Sequence, residues 1–171
     1  SEQAAENGIA AQNGGDSTVE NAVAEVTING STTPYADIAA AFAAAQQADS
    51  ATVKLLENVT IPKNNRGDSY GIDLESGNIT LDLNGRTIQT TGGASNFSQL
   101  NAVFYIGGGS RLTVQDSGTG GKIVQPNGGQ AIGVSFGTLT VKSGIIEVTS
   151  DSAGADSAAT QNCAVFVRGS G

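Results

Sequence analysis

Two carboxylates one residue apart, Asp73 and Glu75, open the search for chemistry in this sequence. On an extended chain such a pair shares one face. Facing carboxylates can ligate a hard cation such as Ca²⁺ when further acidic oxygens converge on it. Asp82 follows a few residues on, and Arg86 and Arg111 are the candidate bases nearby. Arg66-Gly67-Asp68-Ser69 offers a different chemistry. Its Arg can reach an acidic pocket, its Asp can complete a metal ion's coordination, and its Gly lets both project from a turn, as in integrin recognition. NNRGDS is also ordinary loop composition. The single cysteine, Cys163, cannot form an internal disulfide, and a chain without histidine gives it no imidazole base. In the run CAVFV it reads as a small buried hydrophobe.

These residues need elements to position them. The chain has 171 residues, enough for one domain with a core, and 24 of them are glycine. Only 5% are aromatic and 14% charged. That is the composition of a turn-rich β protein. The net charge of −8, with eight Lys+Arg in all, provides no basic patch for nucleic acid or an anionic membrane surface. No run of about 18 apolar residues exists to span a membrane.

Residues 1–23 are polar and without periodicity, and read as a flexible leader or linker. Residues 24–50 read as an N-terminal cap. AEVTING is a short strand with a turn at Asn29-Gly30. A helix is expected over about 35–47, with Thr33 as N-cap, Pro34 at the first helical position, and Ile38, Phe42 and Ala45 on one face.

From Ala51 onward short apolar segments repeat. GIDLESG, AVFYIGG, AIGVSFG and AVFVRGSG form one set, with Ile72, Val103, Ile132 and Val165 in one inward row and Leu74, Tyr105, Val134 and Val167 in another. That alignment turns Phe104 and Phe166 outward, with Gly133 between them, where they could stack on sugar rings. A second set pairs Leu81/Leu83 with Leu112/Val114 and Leu139/Val141, and places Thr80, Thr113 and Thr140 in an outward row. An aligned Thr row can organise water, but Thr is also simply a good strand former. Polar corners follow at Asn84-Gly85, at Asp116-Ser117-Gly118 and at Ser143-Gly144, and third strands begin after them. Equivalent residues recur about every 30 positions, too far apart for hairpins and right for three short strands per coil. The chain is therefore expected to turn a corner at Asn84-Gly85 and continue, stacking about four coils over 51–171.

TTPYADIAAAFAAAQQADSATVKLLENVTI followed by ITLDLNGRTI resembles a pattern in bacterial surface proteins, in which a capping helix precedes LL-x-(D/N)-V-T and then LDLNG-x-T-I. These belong to the pectin-lyase-like group, and the likeness covers about residues 25–171. It implies an all-β, right-handed parallel β-helix with an N-terminal capping helix, extracellular or on a bacterial cell surface. Lyases of this group use acidic Ca²⁺ ligands and an Arg or Lys base, and its galacturonase-type hydrolases use clustered Asp and a His. The second pattern fails for want of histidine. The first finds no stack of acids, because the positions aligned with Asp73 and Glu75 are Phe104 and Ile106, then Gly133 and Ser135. No catalytic residues and no cofactor are therefore assigned, with Ca²⁺ as the alternative.

Insertions after each third strand line up on one edge of such a solenoid, and that edge is the expected binding face. It carries Arg66, Gly67, Asp68, Ser69, Asn96, Gln99, Asn127, Asp151 and Asp156. The expected function is a non-catalytic adhesive or structural domain whose partner is a host or cell-surface protein or a glycan. Polysaccharide binding or cleavage is one alternative. The strand at AVFVRGSG has no cap after it, which reads as a truncated or open end, so a filament subunit joined end to end is the other.

Overall fold

The computed structural model describes residues 19–62, 69–91, 101–126, 128–149 and 163–169. The chain begins with a hairpin. β1 (Ala24–Ile28) and β2 (Ser31–Tyr35) pair antiparallel across Asn29-Gly30, whose φ angles of 51° and 80° are left-handed at both positions. That is the backbone a two-residue hairpin turn requires. Helix α1 (Ile38–Gln46) follows and buries Ile38, Ala41, Phe42 and Ala45.

The helix starts later than the sequence predicts. Pro34 lies in β2, opposite Glu25, and the N-cap is Asp37, whose carboxylate accepts from the Ala39 N–H at 3.0 Å. Proline suits a first helical turn, but it also suits an edge strand, where one side of the backbone has no ladder to complete. β2 is such an edge, since nothing among the described residues pairs beyond it.

The rest is a parallel β-solenoid. Its strands come in threes: β3 (Ala51–Leu55), β4 (Val59–Ile61) and β5 (Ser69–Leu74); then β6 (Asn78–Asp82), β7 (Thr87–Thr90) and β8 (Asn101–Ile106). Next come β9 (Arg111–Gln115), β10 (Lys122–Pro126) and β11 (Gln130–Ser135), and last β12 (Thr138–Val141), β13 (Ile145–Thr149) and β14 (Cys163–Arg168). Sheet A stacks β3, β6, β9 and β12, and β1 and β2 extend it antiparallel beyond β3. Sheet B stacks β4, β7, β10 and β13, and sheet C stacks β5, β8, β11 and β14. The path makes about three turns, slightly fewer than the four coils counted from the repeat, because four stacked levels are separated by three steps.

The Asn84-Gly85 pair has nearly the same backbone as Asn29-Gly30, with φ of 49° and 72°, yet it carries the chain from sheet A to sheet B. The turn alone does not choose between hairpin and corner. The following strand does, and β7 finds its partner in β4 rather than in β6.

Inside, like sits on like. Val53, Leu81, Val114 and Val141 form one row, and Ala51, Ile79, Leu112 and Leu139 another. On sheet C the rows are Ile72–Phe104–Ile132–Val165 and Leu74–Ile106–Val134–Val167. Two expected registers are thereby corrected. On sheet A, Ile79 rather than Leu81 stacks on Leu112. On sheet C, Phe104 and Ile106 point inward where Val103 and Tyr105 were expected. Phe104 is fully buried and meets Phe42 of α1 edge-on, with ring centroids 5.3 Å apart. Burying this ring under the helix leaves Tyr105, with its hydroxyl, on the outside. In the last level the rows are less covered, and Val141, Val165 and Val167 are exposed.

Side chains at the corners tie successive coils together. Between sheets A and B, the Asn58 Oδ1 accepts from the Thr87 N–H at 2.9 Å and the Asn84 Nδ2 donates to the Leu55 carbonyl at 2.9 Å. Asp116 accepts from the Gly85 N–H at 2.7 Å, and the Ser143 hydroxyl accepts from the Asp116 N–H at 2.8 Å. Between sheets B and C, the buried Thr90 hydroxyl donates to Gln125, whose amide in turn donates to the Gly128 carbonyl. Corners interrupt the ladders, so these side chains supply partners the ladders leave out.

Candidate functional site

The sheet B to sheet C connections, β4–β5, β7–β8, β10–β11 and β13–β14, all leave from the same corner of the solenoid. Most of the predicted binding residues belong to them. Arg66, Gly67, Asp68, Asn96, Gln99, Asn127, Asp151 and Asp156 lie outside the described residues, while Ser69 is the first residue of β5. The strands that flank these connections stack in order within sheets B and C.

Beside that corner, the outer face of sheet C carries the richest chemistry among the described residues. Parallel register sets Asp73, Tyr105, Gly133 and Phe166 side by side on consecutive strands. Tyr70, at the start of β5, stacks on Tyr105 with ring centroids 4.4 Å apart and planes 16° from parallel. Glu75 sits at the far end of the strand. Gly107 leaves the room that Tyr105 and the Glu75 carboxylate fill, since a Cβ there would lie 2.7 Å from Tyr105 Cε1. Phe166 is half-buried and keeps its predicted outward side, but Phe104 does not share it. The aromatic partner that the sequence reading missed is Tyr105, hidden by the one-residue slip in register.

The cap helix fixes this end of β5. Gln46 donates from Nε2 to the Asp73 carbonyl at 3.2 Å and accepts from the Glu75 N–H at 3.0 Å, and the Ser76 hydroxyl donates to the Gln46 carbonyl. Partial burial, then a hydrogen bond that the protonated Asp73 donates to Glu75 and the repulsion between the two charges, push the Asp73 carboxyl up to about 6. A like-charged neighbour resists loss of the second proton. Titration of the Asp73 side-chain carboxyl carbon by NMR is expected to centre near 6. In Glu75→Gln the midpoint is expected to fall towards the ordinary aspartate range, because the repulsion is gone. An unchanged midpoint would show that burial alone holds it up.

Of the remaining candidates, Asp82 takes a structural role. Asp82 is buried and accepts from the N–H groups of Asn84 and Ser117 at 3.0 and 2.9 Å. Burial pushes its pKa up, but these bonds, with others from the Ser117 hydroxyl and the Gln115 amide, bring it below the usual value. Arg86 and Arg111 are exposed and form no ion pair among the described residues. Cys163 is half-buried rather than enclosed, and burial pushes its thiol up, away from the nucleophilic thiolate. Among the described residues no three His, Cys, Asp or Glu side chains gather to hold a metal. No described helix is long and apolar enough to cross a membrane.

The outward Thr row is longer than predicted. Thr32, Thr27, Thr52, Thr80, Thr113 and Thr140 follow one another across sheet A. The neighbouring column reads Glu25, Lys54, Asp82 and Gln115, with Glu25 and Lys54 4.0 Å apart. Glu25 and Lys54 hold their own hydration beside the Thr row, so the row reads as β-branched residues suited to strands.

No protein-family model matches the chain, and neither curated proteins nor solved structures match it. The parallel β-solenoid and the surface of sheet C stand on the chain's own residues.

Proposed function

We propose that this chain is a non-catalytic, extracellular adhesive domain of a bacterial surface protein, related to the pectin-lyase-like β-helix group, and that it holds a cell-surface glycan along the sheet C face and its adjoining loop edge. The observation that carries the reading is the common corner of the sheet B to sheet C connections beside the Tyr70–Tyr105 stack. Polar loops supply hydrogen bonds to hydroxyls, and tyrosine rings supply apolar faces for sugar C–H groups.

The test is incubation of the protein with a panel of neutral and acidic polysaccharides, with and without Ca²⁺, reading both retention and glycan chain length. Retention without shortening is expected for at least one glycan, and Tyr105→Ala is expected to weaken it about tenfold, the loss of one stacking contact of roughly 1.4 kcal/mol. Shortening that needs Ca²⁺ would replace the adhesive reading with a lyase. Retention of nothing on the panel would overturn the glycan as partner.

A further inference from the structure

Two Asn-Gly pairs lie wholly within the described residues, Asn29-Gly30 and Asn84-Gly85. Their backbones are nearly the same, with left-handed φ at all four residues. Their surroundings are opposite, and the difference bears on a reaction built into the dipeptide. The glycine backbone nitrogen can attack the asparagine Cγ. A new C–N bond forms, the carboxamide C–N bond breaks, and ammonia leaves with the proton from the backbone N–H. Water then opens the resulting succinimide at either carbonyl, giving aspartate or isoaspartate. No enzyme or oxidant is required, and water is the only co-reactant. Asparagine ranks among the residues that proteins lose to heat for this reason.

At Asn84-Gly85 both reacting groups are held. The Asn84 Nδ2 donates to the Leu55 carbonyl at 2.9 Å. The Gly85 N–H, the attacking group, donates to the Asp116 carboxylate at 2.7 Å, a charge-assisted bond. Asn84 is further pinned through its own N–H, which donates to Asp82 at 3.0 Å. The backbone of Thr119 walls the turn, 3.2 Å from where a Cβ on Gly85 would stand. Attack here must first break two hydrogen bonds and move a neighbouring coil.

At Asn29-Gly30 none of this holds. Both residues are exposed. Nothing lies within 4 Å of the Cβ position of Gly30. Among the described residues no group bonds to the Asn29 carboxamide or to the Gly30 N–H. We infer that Asn29 is a site of spontaneous deamidation in the folded protein, and that the coil-to-coil bonds of the sheet A to sheet B corner protect Asn84 from the same reaction. The product matters to the fold. Isoaspartate adds a methylene to the main chain of the two-residue turn that closes β1 against β2. That hairpin covers the outer edge of sheet A, whose next strand is β3. A lengthened turn loosens the pairing that keeps this edge from other strands.

The experiment is incubation of the full folded chain in mildly alkaline buffer, followed by peptide mapping with mass spectrometry and an isoaspartate assay. A parallel sample is held in denaturant. In the folded protein Asn29 is expected to convert at least about tenfold faster than Asn84, the ratio that one lost hydrogen bond of ordinary worth produces. In denaturant the two sites are expected to convert at comparable rates. Asn84 reacting as fast as Asn29 in the folded protein would overturn the inference, and so would a silent Asn29. A rate difference of the same size in denaturant would also overturn it, because sequence context rather than the fold would then be the cause.

Discussion

Replacing Phe104 with alanine is expected to cost about 3–5 kcal/mol of folding free energy, the range found for truncating a buried phenylalanine. Phe104 is wholly inside the solenoid, in the row with Ile72, Ile132 and Val165. It also joins the cap helix to the second coil, by its edge-on packing with Phe42. Alanine would leave a hole between helix and coil that neither rigid wall can close. Chemical denaturation should show the midpoint falling with an unchanged slope. The double-mutant cycle with Phe42→Ala should return a coupling of about 0.5–1.5 kcal/mol, as aromatic pairs do. Tyr105→Ala, one residue along and on the opposite face, is expected to cost far less stability and to act on glycan retention instead. The reverse result, a nearly neutral Phe104→Ala that abolishes retention, would put Phe104 on the outer face and undo the register of sheet C.

The register of sheet C also shows where the sequence stops being decisive. The solenoid itself was legible, since Thr80, Thr113 and Thr140 recur forward along the chain and fall in the predicted row. The polar corners at Asn84, Asp116 and Ser143 were legible for the same reason. In the run Ala102-Val103-Phe104-Tyr105-Ile106, however, every residue is apolar or aromatic, so an alternation of period two has no polar member to mark the outside. What settles it is tertiary, namely the Phe42 ring arriving from the cap. Pro34 misled for a related reason. Its fixed φ fits both a helix start and an edge strand, and the choice depends on β1, which the local signal does not contain. The surface of sheet C was half visible. Asp73 and Glu75 could be placed on one face by spacing alone, but their aromatic neighbour emerged only when Tyr105 moved out.

Acidification should destabilise the protein through Asp82, and the pH window follows from the direction of its shift. The folded state lowers the pKa of Asp82, because bonds from Ser117, Asn84 and Gln115 to the carboxylate outweigh the penalty of burial. A group held below its unfolded value of about 3.9 contributes stability that is fully present above that value and is lost as pH falls through the folded pKa. Asp73 has the opposite sign. Its pKa is raised to about 6, so its repulsion with Glu75 is relieved as pH falls from that value towards the ordinary aspartate range. The two windows are consecutive. Stability should hold or rise slightly as the solution is acidified from neutrality, then fall below about pH 4. Asp82→Asn keeps an oxygen for the N–H groups of Asn84 and Ser117 but loses the charge. It is expected to cost about 1–2 kcal/mol near neutral pH, the difference between charged and neutral acceptors, and to flatten the acid limb. Asp73→Asn should leave the acid limb intact and remove the change at higher pH. Urea midpoints across the acid range for the three proteins separate these effects, and an acid limb of undiminished steepness in Asp82→Asn would show that other carboxylates carry it.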